Sequence, residues 1–96
     1  MAGKELLKPQ DAPEPIVKHL VSNLGLNVSW AYKLKSVMKP SQQTGVWDFR
    51  LYDETDVRAK NLKIKDFSSF DNCPTMFRYE GIYNSKTQKI ELKTRN

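Results

Sequence analysis

Few residues of this chain have side chains that could act as catalysts. His19 is the one histidine and Cys73 is the one cysteine among the 96 residues. A catalytic base or nucleophile needs a partner group that orients or activates it, and the sequence places no such group beside either residue. We therefore interpret His19 as a solvated residue on a helix and Cys73 as a structural thiol. An enzyme that uses Cys73 remains the one catalytic hypothesis.

The acidic run Asp53, Glu54 and Asp56 is the sequence's one candidate for Mg²⁺ or Ca²⁺ binding. It lacks the twelve-residue spacing and central glycine of a calcium loop. Acids in the first turn of a helix complement the positive end of the helix dipole, so the run predicts a helix start instead. The four glycines stand apart at positions 3, 25, 45 and 81, which excludes a glycine-rich phosphate loop. We predict no metal, no cofactor and no catalytic residue, and hence a protein that is not an enzyme.

A helix is predicted from about Pro15 to Leu24. Proline suits the first helical turn, and Gly25 supplies a left-handed stop. Apolar residues at helical spacing form one stripe, namely Ile16, Val17, Leu20, Val21 and Leu24. An amphipathic helix of this kind covers an apolar surface elsewhere in the fold.

Alternating apolar and polar residues predict strands over about 28–35, 47–52, 62–65, 75–83 and 89–93. The first two are expected to pair as an antiparallel hairpin. A helical interpretation of residues 28–38 also remains, through Trp30, Leu34, Val37 and Met38. A short second helix is predicted between about Asp53 and Lys60.

These elements predict a single α+β domain over residues 14–96. It consists of a mostly antiparallel sheet of about five strands, one main amphipathic helix on one face and a short second helix. Residues 1–13 are predicted to form a flexible N-terminal arm, since Pro9, Pro13 and Pro15 are incompatible with a regular helix there. The chain shows no internal repeat.

One face of the predicted sheet is basic. It would carry Lys33, Lys35, Arg50, Lys63, Lys65, Arg78, Lys89 and Lys93 against Asp48, Glu80 and Glu91, and so the whole net charge of +5. A face of this kind attracts phosphates by counterion release. The candidate polyanion-binding residues are Lys33, Lys35, Arg50, Lys63 and Lys65. The alternative is an ordinary solvated face of an antiparallel sheet.

The other predicted face is aromatic. It gathers seven of the ten aromatic residues, namely Trp30, Tyr32, Trp47, Phe49, Phe77, Tyr79 and Tyr83. One helix about 10–12 Å across covers roughly half of a five-stranded sheet. The rest is covered by a loop carrying Phe67, Phe70 and Met76, by the N-terminal arm, by a second copy of the chain, or by a peptide or small ligand. The candidate interaction face consists of Trp30, Tyr32, Trp47, Tyr79 and Tyr83.

Composition and charge limit the function classes. The chain is 39% hydrophobic and 28% charged, as in ordinary folded domains, and no apolar run reaches the roughly 20 residues of a membrane span. The single cysteine and the absence of a signal sequence predict a cytoplasmic protein. We favour a non-catalytic module that binds a protein, a second copy of itself included, through the aromatic face. The alternative is a sequence-independent nucleic-acid binder that uses the basic face.

Overall fold

The structure, a computed structural model, describes residues 8–73 and 75–93. Within these residues the chain forms five strands, three α-helices and one 3₁₀ helix. The strands are β1 (Gln10–Asp11), β2 (Lys35–Pro40), β3 (Val46–Tyr52), β4 (Tyr79–Asn84) and β5 (Ile90–Leu92). The helices are α1 (Glu14–Leu24), α2 (Val28–Ala31) and α3 (Glu54–Ala59), with the 3₁₀ helix over Phe67–Phe70. The predicted α+β fold class is confirmed.

The sheet is an antiparallel meander whose strand order follows the chain, from β1 to β5. Met38 of β2 lies opposite Phe49 of β3, and Phe49 lies opposite Gly81 of β4. Gly81 allows close packing at this point. A Cβ added there would overlap the main-chain oxygen of Glu91 and meet the Phe49 ring.

Helix α1 agrees closely with the prediction. Gly25 ends it in the left-handed conformation, with φ of 67°, and its N–H donates to the carbonyl of Val21. Ile16, Val17 and Leu20 of the predicted stripe are buried. Leu24 also belongs to that stripe, yet it is 48% exposed.

The strand predicted over residues 28–35 is wrong. Residues 28–31 form helix α2, and β2 begins at Lys35. The Asn27 side chain caps the helix by accepting a hydrogen bond from the N–H of Trp30 at 3.0 Å. Residues 28–31 are too few to distinguish the alternation of a strand from the spacing of a helix, and a local cap of this kind favours the helix. The hairpin therefore joins β2 to β3.

Two other segments differ from their predicted structures. Residues 62–65 form no strand. Their alternation arises because Leu62 and Ile64 pack inward while Lys63 and Lys65 are exposed. Strand β4 begins at Tyr79 rather than at Thr75.

Part of the predicted N-terminal arm is a strand. Gln10 pairs with Ser36 and Asp11 pairs with Lys35. Residues 1–7 lie outside the described residues. A sheet edge supplies hydrogen bonds to any segment that reaches it, which the proline count does not reveal.

Both sides of the sheet carry an apolar cluster. We call the side against which α1 packs the first face; its cluster contains Ile16, Leu20, Leu34, Met38, Phe49, Leu51 and Tyr83. The opposite side is the second face, whose cluster contains Val37, Tyr52, Val57, Phe67, Phe70 and Phe77. The segment around the 3₁₀ helix therefore covers part of the face that was predicted to be solvated. Phe77, predicted for the aromatic face, belongs to this second cluster.

Candidate interaction surfaces

The chain itself covers most of the predicted aromatic interaction face. Tyr83 is buried in the first-face cluster. Trp47, Tyr79 and Trp30 are half-buried and pack against the same cluster. Trp30 reaches it from helix α2 rather than from a strand. Only Tyr32 among the five predicted residues is strongly exposed, at 49%.

Trp30 fastens helix α2 to the start of helix α3. Its indole N–H donates to Asp53 Oδ2 at 2.9 Å, and its ring meets Tyr79 edge-on with centroids 6.4 Å apart. The Arg78 guanidinium lies 5.7 Å from the Trp30 ring centroid and donates to both carboxylate oxygens of Asp56, at 2.8 and 3.2 Å. These contacts fix the position of α2.

The acidic run predicted to begin a helix does so. Asp53 is the N-cap of α3 and accepts a hydrogen bond from the N–H of Thr55 at 2.9 Å. The hydrogen bond from Trp30, followed by that from Thr55, lowers the pKa of Asp53 below its ordinary value. Glu54 and Asp56 lie in the first turn. These contacts confirm the capping interpretation of the run.

Three exposed side chains form what we call the apolar corner: Leu24, Val28 and Tyr32. They are the exposed large hydrophobic residues of the described part of the chain, at 48%, 53% and 49%. Leu24 ends α1, Val28 begins α2, and Tyr32 caps the C-terminus of α2. The N–H of Tyr32 donates to the carbonyl of Val28, so this pair lies one helical turn apart.

A cleft of about 520 Å³ adjoins the apolar corner at Tyr32. Trp30, Lys33, Asp53 and Glu54 are among its lining residues. The cleft thus combines aromatic rings with charges of both signs.

The five candidate polyanion-binding residues do not share one sheet face. Lys33 follows helix α2, and Lys63 and Lys65 lie in the irregular segment before the 3₁₀ helix. Lys35 is bound to Asp11, with 2.7 Å between Lys35 Nζ and Asp11 Oδ1. The three lysines outside the sheet, Lys33, Lys63 and Lys65, are exposed.

Arg50 has a structural role on the second face. Its side chain is only 16% exposed, and it forms ion pairs with Asp71 at 3.0 Å and with Glu80 at 3.5 Å. Its guanidinium carbon lies 4.0 Å from the Phe67 ring centroid and 4.9 Å from that of Phe77. A cation enclosed in this way is not presented to an external polyanion.

The two residues considered for catalysis have few polar contacts. The Asn23 side-chain nitrogen lies 3.0 Å from His19 Nδ1, and Cys73 is a half-buried free thiol. In residues 8–73 and 75–93, no three histidine, cysteine or acidic side chains are grouped so that they could hold a metal ion.

No helix within the described ranges is long and apolar enough to cross a membrane. Comparison of the chain with protein-family models, with curated proteins and with solved structures found no match.

Leu24 and Val28 were not among the predicted interaction residues. Both fitted a buried position in the sequence pattern, Leu24 on the stripe of α1 and Val28 at the start of a strand. The signal that could have found Val28 is Asn27, because an asparagine directly before an apolar residue is a candidate helix start. That start turns Val28 and Tyr32 to one side.

Proposed function

We propose that this chain is a non-catalytic binding module whose partner is another protein, and that the partner covers the apolar corner. The observation that supports this proposal is the exposure of Leu24, Val28 and Tyr32, which are each about half exposed, at 48%, 53% and 49%. Covering apolar surface gains roughly 25 cal/mol per Å². Val28 and Tyr32 lie one helical turn apart, and contiguous exposed apolar surface is typical of interaction sites. The cytoplasmic location stays a prediction.

The charges near the corner favour a particular partner chemistry. Lys33 follows Tyr32, is exposed, and has no carboxylate within 4.0 Å among the described residues. The net charge of +5 opposes the approach of a second copy and attracts an acidic partner. We therefore propose a partner segment that has apolar side chains for the corner and a carboxylate for Lys33.

The contacts of Trp30 support the proposal further. They hold α2 against α3 through the bond to Asp53 and the packing on Tyr79. A partner would therefore meet a surface that is already ordered, and preorganisation reduces the free-energy cost of binding. Tyrosine is also among the residues that contribute most to binding energy at protein interfaces.

The test begins with the full chain carrying a photo-crosslinking amino acid at Tyr32, expressed in its own cells. The crosslinked protein is then purified, and its affinity for the wild type and for Tyr32→Ala is measured by titration calorimetry. We expect Tyr32→Ala to weaken binding about 30-fold, as for a central interface tyrosine. Gln42→Ala, an exposed loop substitution away from the corner, should leave the affinity unchanged.

Two results would contradict this proposal. One is equal affinity of the purified partner for the wild type and for Tyr32→Ala. The other is a wild-type dimer in sedimentation equilibrium that Val28→Lys dissociates, which would assign the apolar corner to a second copy of the chain.

A further inference from the structure

The cations of the described residues differ in whether a carboxylate pairs with them. Six cations form ion pairs, namely Lys18, Lys35, Arg50, Arg58, Arg78 and Lys93. In contrast, Lys60, Lys63 and Lys65 fall within six consecutive residues and are all exposed. None of these three has a carboxylate within 4.0 Å in the described ranges. We call them the lysine strip.

The backbone that carries the lysine strip is held in place. Leu62 and Ile64 are half-buried and pack against the second-face cluster, so Lys63 between them and Lys65 after them are exposed to solvent. The N–H of Leu62 donates to the carbonyl of Val57 at 3.0 Å. At the other end, the N–H of Lys65 donates to Ser69 Oγ at 2.9 Å. The strip is therefore presented from a fixed segment rather than from a freely moving loop.

Acidic groups next to the strip are engaged elsewhere. Asp66 accepts hydrogen bonds from the hydroxyls of Ser68 at 2.7 Å and Ser69 at 3.4 Å. Asp56, which lines a cleft together with Lys60, is paired with Arg78 at 2.8 Å. The positive potential of the three lysines is thus only partly offset by Asp66.

We propose that the lysine strip binds the phosphate backbone of duplex nucleic acid without regard to sequence. Neutralising phosphates with lysines releases condensed counterions, which drives binding. Proteins that bind single strands add exposed aromatic rings on which bases stack. The rings that follow the strip, Phe67 and Phe70, are buried instead. This contrast favours a duplex, whose backbone is accessible while its bases are stacked.

The expected binding is weak and strongly dependent on salt. Three phosphate contacts predict that log K falls against log salt concentration with a slope of about −2.7. The Kd should lie near about 10⁻⁴ M, the weak end of the range for sequence-independent binding.

The test is an amide-resolved NMR titration of the full chain with a mixed-sequence DNA duplex at several salt concentrations. The first variant is Lys63→Gln with Lys65→Gln. Its matched control is Lys86→Gln with Lys89→Gln, which removes the same charge from exposed lysines at the turn before β5. We expect the first variant to bind about tenfold more weakly and the control to change less than about twofold, with a shallower salt slope only in the first variant.

A second variant, Lys63→Arg with Lys65→Arg, keeps the charge and should retain the wild-type affinity. Equal losses in the strip variant and its control would overturn the proposal, because binding would then follow net charge alone. No shifts in the wild type, or tighter binding to a single strand of the same sequence, would overturn it as well. So would strip-dependent binding to anionic phospholipid vesicles in the absence of binding to the duplex.

Discussion

The two faces of the sheet are covered in different ways. On the first face, helix α1 contributes Ile16 and Leu20 to a cluster of buried hydrophobic residues around Phe49. On the second face, an irregular segment with one 3₁₀ turn covers Val37 and Tyr52, and the aromatic rings of that cluster enclose the Arg50 guanidinium. One face is thus closed by a regular amphipathic element, and the other by a few aromatic anchors and a paired cation.

This difference shows that a half-buried strand pattern does not tell which element covers each side. Arg50 alternates with Phe49 and Leu51 as a solvent-facing residue would. Only 16% of its side chain is exposed, however, because Phe67 and Phe77 stack on it and two carboxylates pair with it. Arginine is well suited to such a position, since its flat guanidinium stacks on rings while its edges donate hydrogen bonds.

The largest expected effect compares one anchor from each face. Phe49 and Phe70 are both fully buried. We expect Phe49→Ala and Phe70→Ala each to lower the free energy of unfolding by about 3–5 kcal/mol, as measured by urea denaturation. A loss below about 1 kcal/mol for Phe70→Ala would show that the second-face cover is not part of the cooperative core. If an alanine variant fails to fold, Phe→Leu at the same position gives a milder comparison.

The next prediction concerns the cation of the second face. Arg50→Met removes the hydrogen bond to the main-chain oxygen of Phe67 at 2.9 Å and both ring contacts, and it leaves Glu80 without its partner. We expect a loss of about 1–2 kcal/mol in the free energy of unfolding. The control is Arg58→Met, whose ion pair with Glu54 is exposed at 78% and 48%. It should cost less than about 0.5 kcal/mol, and an equal loss for both variants would contradict the structural role of Arg50.

A buried hydroxyl on the first face can be compared with a hydrogen-bonded hydroxyl near the second face. Ser36 Oγ is fully buried and has no hydrogen-bond partner among the described residues. We therefore expect Ser36→Ala to raise the free energy of unfolding by about 1 kcal/mol. The matched substitution is Ser69→Ala near the second face, where the hydroxyl accepts from the N–H of Lys65 at 2.9 Å. That variant should lose stability in the same denaturation experiment, and a loss in Ser36→Ala instead would reveal a partner for its hydroxyl.

The smallest effect is a pH dependence at the junction of α2 and α3. The Trp30 and Thr55 hydrogen bonds hold the pKa of Asp53 below its ordinary value of 3.8. A lowered folded-state pKa stabilises the fold above the unfolded-state pKa, and this stability is lost as the pH falls through the folded-state value. We expect Asp53→Asn, which keeps a capping oxygen, to lose less stability than the wild type when the pH is lowered from about 5 to below 3.

Thermal unfolding of both proteins across this pH range measures the difference. Asp66, whose pKa is lowered chiefly by the Ser68 hydroxyl, contributes in the same direction to both proteins and therefore cancels. Parallel stability curves for the wild type and Asp53→Asn would contradict the predicted role of Asp53.

Several elements could be predicted from local signals alone. Helix α1 ends where Gly25 permits a left-handed residue, and α3 begins where Asp53 accepts a main-chain N–H. Strand β3 contains an alternating run from Trp47 to Leu51, in which apolar and charged residues follow one another. In each case the deciding interaction lies within a few residues of sequence.

The candidate surfaces could be predicted only in part. Tyr32, Lys63 and Lys65 were named from the sequence, and all three are exposed. Their assignment to sheet faces was wrong, because residues 28–31 are helical and residues 62–65 form no strand. Leu62 and Ile64 alternate with lysines because they pack against the second-face cluster. Packing against an apolar surface produces the same alternation as strand pairing.

The sequence by itself determined the fold class, the main helix with its cap, and the start of α3, because these depend on periodicity and on contacts between near neighbours. The tertiary structure decided which residues cover each face of the sheet. It also decided that Arg50 is enclosed while Lys60, Lys63 and Lys65 are open, and that Leu24 and Val28 face solvent. These outcomes depend on contacts between segments 17 to 30 residues apart, such as those of Arg50 with Phe67 and Glu80, and periodicity carries no information about such contacts.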